Sequence, residues 1–398
     1  MTVSKQDGRS TWRFYKLARS VFSGFTLLYL LAVLLVMTPF IQTHVLYAHH
    51  IDFWWNNKFD HPEHHGLAPG KTVNLKLQSA DNTTLGAWFI FADSIHRQQP
   101  FPPPSRTDFA LSAAQNISDA LHTRPTILFL HGNTGTRALP LRTVVYTALT
   151  GRLDANILAI DYRGFGDSQG HPSVQGVGMD ARAGWDYLKS QGAKDEDVLI
   201  VGHSLGTAIA GLLAAELGRE GIRPRGTVLM SPFSSVRTLI DQYYLFGFLP
   251  LLKPVSMIPL APRLVTWSLV HRFDTLTLVP DIKSSVLIVH ADDDVDIPST
   301  HASTLFEAFL EPHLPAHPTP PPNPFSHEKW DNFTSQESQR IHARQEIVKT
   351  IEVDGFGLYE EMNQDGRKVA LLKTEKGGHD IGRVEGVQDA IGRMFGFH

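Results

Sequence analysis

The sequence predicts an α/β fold in which a mostly parallel β-sheet is covered by helices on both faces. From residue 73 onward, short runs of β-branched and apolar residues alternate with longer helical patterns. The later runs are continuously apolar, as is typical of strands that are buried on both faces. With 398 residues, 42% of them hydrophobic and 19% charged, the chain is long enough for one large domain with accessory segments.

The pattern predicts eight strands, four clear helices and three interruptions. The predicted strands cover residues 73–77, 85–91, 126–130, 156–160, 198–201, 227–230, 286–289 and 369–372. The predicted helices cover residues 174–190, 205–217, 300–310 and 384–395. Two interruptions, 94–124 and 311–345, are rich in proline or polar residues and are predicted to be loops. The third, 234–280, is apolar and predicts a helical cap over a substrate pocket or a surface that touches the bilayer, with a packed extra helix pair as the alternative.

A basic segment at residues 1–20 precedes a strongly apolar run at 21–46. That run exceeds the roughly 20 residues that span a bilayer, and we expect an uncleaved membrane anchor. A cleaved signal peptide is the alternative, but its apolar core would be shorter and would end at small residues. The basic flank predicts a cytosolic N-terminus and a lumenal domain at 71–398. Three glycosylation sequons, at Asn82, Asn116 and Asn332, agree with that placement.

Composition excludes several classes of partner and cofactor. The formal net charge is −4, so no basic field would hold a nucleic acid. The chain has no cysteine, which excludes disulfides, thiol nucleophiles and cysteine-bound metals. His61, His64 and His65 could be metal ligands, but Pro62 interrupts any helical face that would align them. We interpret residues 47–70 as a solvated linker and predict that no metal or organic cofactor is required.

The main chemical motif is Gly202-His203-Ser204-Leu205-Gly206, between a predicted strand and a predicted helix. A sharp strand-to-helix turn lifts a serine oxygen clear of the sheet edge, and this context makes the motif specific. Ser204 is therefore the predicted nucleophile. The turn also puts the amide of Leu205 at a helix N-terminus, where it can donate to a developing oxyanion.

A serine hydroxyl needs a general base and a carboxylate that orients the base. Aspartates at positions 292, 293, 294 and 296 follow the predicted strand 286–289, and Asp294 is the predicted acid, with Asp292 and Asp293 as the competitors. His379 lies in a glycine-flanked loop before the last predicted helix and is the predicted base. The three residues follow the chain order Ser, Asp, His that this fold uses. A neutral histidine base predicts that activity falls as the pH drops through about 6 to 7.

The second oxyanion donor is expected from the loop after the strand 126–130, which reads His-Gly-Asn-Thr-Gly-Thr. Its glycines let backbone amides turn inward, and the amide of Asn133 is the leading candidate. A phosphate-binding loop would need a terminal Lys followed by Ser or Thr, and these are absent from this segment.

The segments LFLHGNTGTR, DYRGFGDSQG, GHSLG, SPFSSVR, HADDDVDIP and KGGHDIG together resemble the α/β-hydrolase-domain lipases that cleave lysophosphatidylserine and monoacylglycerol. The resemblance covers roughly residue 73 to the C-terminus. It implies the α/β-hydrolase fold and a single-pass protein with its catalytic domain in the lumen of the endoplasmic reticulum. By this likeness Ser204, Asp294 and His379 match the family's catalytic triad. The insertion between Asp294 and His379 is longer than the family pattern, so substrate preference does not transfer with it.

We therefore expect a serine hydrolase that cleaves lipid esters, a lysophospholipid or a monoacylglycerol, through an acyl-enzyme. The triad itself does not distinguish ester, thioester and amide, so a protein acyl-thioesterase and a serine peptidase are the enzymatic alternatives. A catalytically silent, membrane-tethered binding protein is a third possibility. Such a protein would be expected to lack a triad residue, whereas all three are present here.

Overall fold

The strands of the protein follow the apolar runs along the chain. A computed structural model describes residues 7–51, 58–242, 244, 245, 249, 250, 261–323 and 325–397. The strands within this part of the chain are β1 (Thr72–Gln78), β2 (Thr84–Ile90), β3 (Thr126–Leu130), β4 (Asn156–Ile160), β5 (Val198–His203), β6 (Gly226–Met230), β7 (Tyr244–Leu245), β8 (Leu249–Pro250), β9 (Val286–Ala291), β10 (Val348–Val353), β11 (Gly357–Gln364) and β12 (Arg367–Thr374).

Ten of these strands form one sheet in the order β1-β2-β4-β3-β5-β6-β9-β12-β11-β10. The six strands from β4 to β12 in that order are parallel, and antiparallel strands flank them at both ends. All eight predicted strands are present, but the predicted count of eight was wrong. Four strands of the described part were not predicted. The strands β7 and β8 pair with each other outside the main sheet. The strands β10 and β11 lie at one end of the main sheet and carry mostly polar, partly exposed side chains, so they give no apolar run.

Helices cover both faces of the sheet. In chain order they are α1 (Asp7–Val36), α2 (Pro39–Tyr47), α3 (Asp93–His96), α4 (Arg106–Thr123), α5 (Pro140–Arg152), α6 (Val174–Ser190), α7 (Leu205–Arg219), α8 (Val236–Gln242), α9 (Ala261–Ser268), α10 (Thr300–Leu310), α11 (His327–Ile347) and α12 (Glu385–Phe395). Buried residues of the parallel strands alternate between two apolar clusters: Leu128 and Leu130 belong to one, Ile127 and Phe129 to the other. This alternation places a core on each face, as expected of an α/β sheet.

Both segments predicted as Pro-rich loops contain a helix. In the first, the prolines end at Pro104, and α4 begins after Ser105, whose hydroxyl accepts the N–H of Asp108 as an N-cap. In the second, α11 occupies much of the predicted loop 311–345. Its sequence is polar on all sides and none of its residues is buried, so it lacks the apolar stripe by which a helix is recognised in a sequence.

The apolar N-terminal run forms two helices rather than one. Among the described residues, one helix is long and apolar enough to cross a membrane, over Trp12–Leu35, and its residues are not buried by the rest of the chain. This candidate span overlaps residues 21–35 of the predicted anchor at 21–46, and residues 39–46 of that anchor belong to α2. Pro39 has no N–H to continue α1, so the chain turns at Met37 and Thr38 and starts α2. Helix α2 packs on the domain, with Gln42 and Tyr47 buried.

The predicted solvated linker and the predicted cap are only partly described. Residues 52–57 of the linker lie outside the described part. Phe59 and Leu67 are buried in the core beside Trp88, so the described portion packs on the domain, although several of its other residues are exposed. In the segment 234–280, residues 243, 246–248 and 251–260 lie outside the described part. The described remainder contains α8, the β7–β8 pair, α9 and a 3₁₀ helix at Thr275–Asp281.

Candidate active site

Ser204 occupies the turn between β5 and α7, in a strained backbone conformation. Its φ and ψ are 52° and −121°, and a positive φ at a non-glycine residue costs about 1 to 3 kcal/mol. The turn is possible because Gly202 and Gly206 lack side chains. A Cβ at Gly206 would lie 2.0 Å from the carbonyl oxygen of Leu130, and one at Gly202 would lie 2.3 Å from the carbonyl oxygen of Gly206. The sequence motif thus forms the predicted strand-to-helix turn at the carboxyl edge of the sheet.

The carboxylate of Asp294 has two backbone donors in its own loop and two neighbouring imidazoles from other elements. Oδ1 accepts the N–H groups of Asp296 and Ile297 at 2.9 and 3.0 Å. Oδ2 lies 2.9 Å from Nδ1 of His379 and 3.1 Å from Nε2 of His290. The side chain of Asp294 is buried, so these donors replace the water that a carboxylate requires.

The two competing aspartates make other contacts. Asp292 lies 3.1 Å from the ammonium of Lys373, and its side chain is half exposed. Asp293 accepts the N–H of Gly378 at 2.8 Å and so fixes the loop that carries the histidine. The carboxylate that contacts the imidazole is therefore that of Asp294.

The loop after β12 fixes the histidine through its own backbone. The carbonyl of His379 accepts hydrogen bonds from Ser231 Oγ at 2.8 Å and from His203 Nε2 at 2.9 Å. The ring is held by Asp294 on Nδ1, which leaves Nε2 as the nitrogen that can accept a proton from a hydroxyl. This tautomer is the one that a general base needs.

In both Asp294 and His379, burial and hydrogen bonding shift the pKa in opposite directions, and hydrogen bonding prevails. Burial alone would raise the pKa of Asp294, but hydrogen bonds from His290 and His379 hold that pKa well below its ordinary value. Burial lowers the pKa of His379, and the hydrogen bond and charge of Asp294 outweigh it, so the pKa of His379 is raised. For His203, burial and the neighbouring charge of His379 lower the pKa to about 3, so this ring stays neutral.

Ser204, His379 and Asn133 line one cavity of about 200 Å³. Its remaining wall is mainly apolar and includes Leu139, Leu141, Val145 and Met230. Leu205 is buried directly behind Ser204, at the first position of α7, where backbone N–H groups point away from the helix. The structure therefore brings the predicted serine, histidine and asparagine to one cavity, with the predicted acid behind the histidine.

Arg142, which no sequence motif identified, fixes the backbone of the loop 132–136. Its guanidinium is buried and donates to the carbonyls of Gly132, Asn133, Thr134 and Thr136 at 2.6 to 3.0 Å. Because these carbonyls turn toward Arg142, the loop can direct its N–H groups elsewhere. No sequence pattern distinguishes this arginine from others that begin a helix.

Helix α2 also contacts this loop. The N–H of Thr134 donates to the carbonyl of Tyr47 at 3.0 Å, and Nδ2 of Asn133 lies 3.4 Å from the carbonyl of Leu46. On its other side, Gln42 bonds the backbone of Ser268 at 2.9 Å. The helix that follows the candidate membrane span thus bridges the cap segment and the loop of the site. The sequence does not reveal this contact, because the residues of α2 continue the apolar run that predicts the anchor.

Asp294, Asp296 and His379 also place donor atoms within 4.8 Å of one another, a spacing that could hold a metal ion. The donors already on Asp294 argue against that assignment. Three hydrogen bonds already reach its two oxygens, and Nε2 of His290 lies 3.1 Å from Oδ2, so a cation would have to displace several of these contacts. We interpret the cluster as a hydrogen-bonded carboxylate and imidazole.

A parallel sheet of this order, with a strained serine turn at the end of its central strand, is the architecture of the α/β hydrolases. The sequence model of the "Alpha/beta hydrolase family" matches residues 127–360, and the chain belongs to that family. Among curated proteins it is similar to "Lysophosphatidylserine lipase ABHD12" of Gallus gallus, with 28% identity over 268 residues, 67% of this chain and 65% of that relative's length.

The chain is also similar to two further curated relatives. The protein of the same name from Bos taurus is 28% identical over 294 residues, which cover 73% of this chain and 69% of the relative. "Protein ABHD12B" of Homo sapiens is 32% identical over 188 residues, 46% of this chain and 49% of the relative.

The role of Arg142 can be tested by Arg142→Met. We expect kcat to fall about 10²- to 10³-fold, as when one oxyanion donor is lost, because the loop carbonyls lose their shared partner. KM should change much less. The matched control is Arg152→Met at the other end of α5, whose guanidinium pairs with Asp389 at the surface and should matter little. Equal effects of the two variants on kcat would contradict the role given to Arg142.

Proposed function

We propose that this protein is a membrane-anchored serine hydrolase that cleaves carboxylic esters of lipids. The single observation that carries the proposal is the hydrogen bond between Asp294 and His379. The histidine lines the same cavity as Ser204, which occupies a strained turn. Such a pair makes an ordinary hydroxyl reactive. The class of substrate is supported by the relatives named as lysophosphatidylserine lipases and by the apolar helix at Trp12–Leu35. A lysophospholipid fits both observations, and a monoacylglycerol fits the sequence resemblance and the apolar helix.

The mechanism is acyl transfer in two steps. Nε2 of His379 takes the proton of Ser204 as Oγ attacks the ester carbonyl, and Asp294 stabilises the resulting imidazolium. The amides of Asn133 and Leu205 donate to the tetrahedral oxyanion. The imidazolium gives its proton to the leaving alcohol, and the acyl group stays on Ser204. Water, deprotonated by the same histidine, then releases the fatty acid and restores the hydroxyl.

The proposed topology places the N-terminus in the cytosol and the catalytic domain in the lumen, for which the endoplasmic reticulum is the natural compartment. This orientation is supported by the basic residues before and at the N-terminal end of the apolar helix, which are Lys5, Arg9, Arg13, Lys16 and Arg19. Asn82 is exposed in a turn between β1 and β2, so its sequon is accessible to glycosylation. Asn116 instead lies within α4, and its amide bonds Ser112.

The proposed nucleophile and substrate can be tested together. A serine-directed phosphonate should label the purified protein and the control Ser190→Ala, a surface change at the end of α6, but should fail to label Ser204→Ala. Lysophospholipids, monoacylglycerols, acyl-thioester peptides and plain peptides are then assayed in parallel. If peptides or thioesters are hydrolysed and lipids are not, the proposed class of substrate is wrong. If the phosphonate still labels Ser204→Ala, Ser204 is not the nucleophile.

The raised pKa of His379 predicts where activity is lost. The base must be neutral, so the rate should fall as the pH drops through a midpoint above the ordinary histidine value of about 6.5. Asp294→Asn removes the charge that raises the pKa of His379. It should move the midpoint to lower pH and slow the reaction, by on the order of 10⁴-fold in a comparable triad.

Asp292→Asn is the matched control, because it makes the same change two residues away on a side chain that pairs with Lys373. Its midpoint should stay at the wild-type pH. The midpoints are measured from profiles of kcat/KM against pH for the wild type, Asp294→Asn and Asp292→Asn. An unchanged midpoint in Asp294→Asn would contradict the assignment of the acid.

A further inference from the structure

A cluster of three histidines lies at the end of α2, outside the candidate active site. His44 is in the last turn of the helix, and His49 and His50 follow the left-handed turn at Ala48. One ring nitrogen of each lies within 4.8 Å of the others. In a tetrahedral zinc site, bonds of about 2.0 to 2.1 Å put neighbouring nitrogens about 3.4 Å apart. Small rotations of the three rings would therefore bring them to coordination distance.

Two of the three rings are prepared for coordination. Nδ1 of His44 lies 2.7 Å from the carbonyl of Phe40, which can only accept, so Nδ1 carries the proton and Nε2 has the lone pair. Metal-binding histidines are usually oriented by such a bond on the other ring nitrogen. His49 is 5% exposed, and its Nδ1 has no hydrogen-bond partner among the described residues. A buried unsatisfied nitrogen is unfavourable, and coordination would satisfy it.

The chemistry of the donor atoms decides which ions this cluster would bind. Three imidazoles select late first-row divalent ions over Mg²⁺ or Ca²⁺, which prefer oxygen.

We propose that His44, His49 and His50 form a binding site for a late first-row divalent metal ion, with Zn²⁺ as the principal candidate and water completing its coordination. The ion would tie the last turn of α2 to the residues that follow it. The carbonyls of Leu46 and Tyr47 lie between these ligands and contact the loop of Asn133 and Thr134. Metal binding should therefore rigidify that loop. An effect on hydrolysis rests on the proposed function, whereas the binding itself does not.

The test uses the full chain in detergent, without a histidine tag and after removal of metal by a chelator. Competition with a chromophoric zinc indicator should give one equivalent of Zn²⁺ per chain and no competition by Mg²⁺. His44→Ala and His50→Ala should each weaken binding about tenfold or more. Both residues are less buried than His49, so these variants should remain folded, and their thermal unfolding midpoints without metal check this.

His61→Ala combined with His64→Ala is the matched control. These rings stack with centroids 5.0 Å apart, in a second histidine cluster that does not belong to the proposed site. The control and Ser204→Ala should bind Zn²⁺ like the wild type, although Ser204→Ala is expected to be inactive. Zn²⁺ should slow hydrogen exchange at the N–H of Thr134 in the wild type but not in His44→Ala. Unchanged affinity in His44→Ala and His50→Ala, or weaker binding only in the control, would overturn the proposal.

Discussion

The hydrogen bond between Asp294 and His379 is the interaction on which the candidate site depends. It orients the ring, sets its tautomer and raises the pKa of the imidazole. The bond is secure because Asp294 is itself held by two backbone amides and by His290. A buried carboxylate with these donors stays ionised, and an ionised carboxylate is what an imidazole needs when it takes up a proton. The strained turn at Ser204 is useful only if that imidazole is in place.

The site is not confined to the sheet edge. Arg142 donates hydrogen bonds to the carbonyls of the loop 132–136, and an N–H of the same loop donates to a carbonyl at the end of α2. Helix α2 follows the candidate membrane span after a break at Pro39, and it also contacts the backbone at Ser268 in the cap segment. The position of the apolar helix is thus connected through a few backbone contacts to the proposed oxyanion donors. The predicted cap segment and the loop of the proposed oxyanion donor therefore contact the same helix.

How well each segment could be predicted from the sequence depended on how deeply the segment is buried. Parallel strands such as β3 and β4 were predicted with their observed bounds, because strands buried on both faces are continuously apolar. The edge strand β10, its neighbour β11 and the polar helix α11 were missed, because elements with mostly polar, partly exposed side chains have no apolar period. Ser204, Asp294 and His379 were predicted from chain order and turn chemistry. Arg142 and the docking of α2 arise from tertiary contacts between distant residues, which no local pattern reveals.

A structure of the protein covalently modified by a phosphonate tests the central claim most directly. We predict the adduct on Ser204, with Nε2 of His379 about 2.6 to 3.2 Å from Oγ and Nδ1 still bonded to Asp294. The phosphoryl oxygen should lie about 2.7 to 3.1 Å from the amides of Asn133 and Leu205. An adduct on another residue, or an imidazole of His379 turned away from the modified oxygen, would contradict the account.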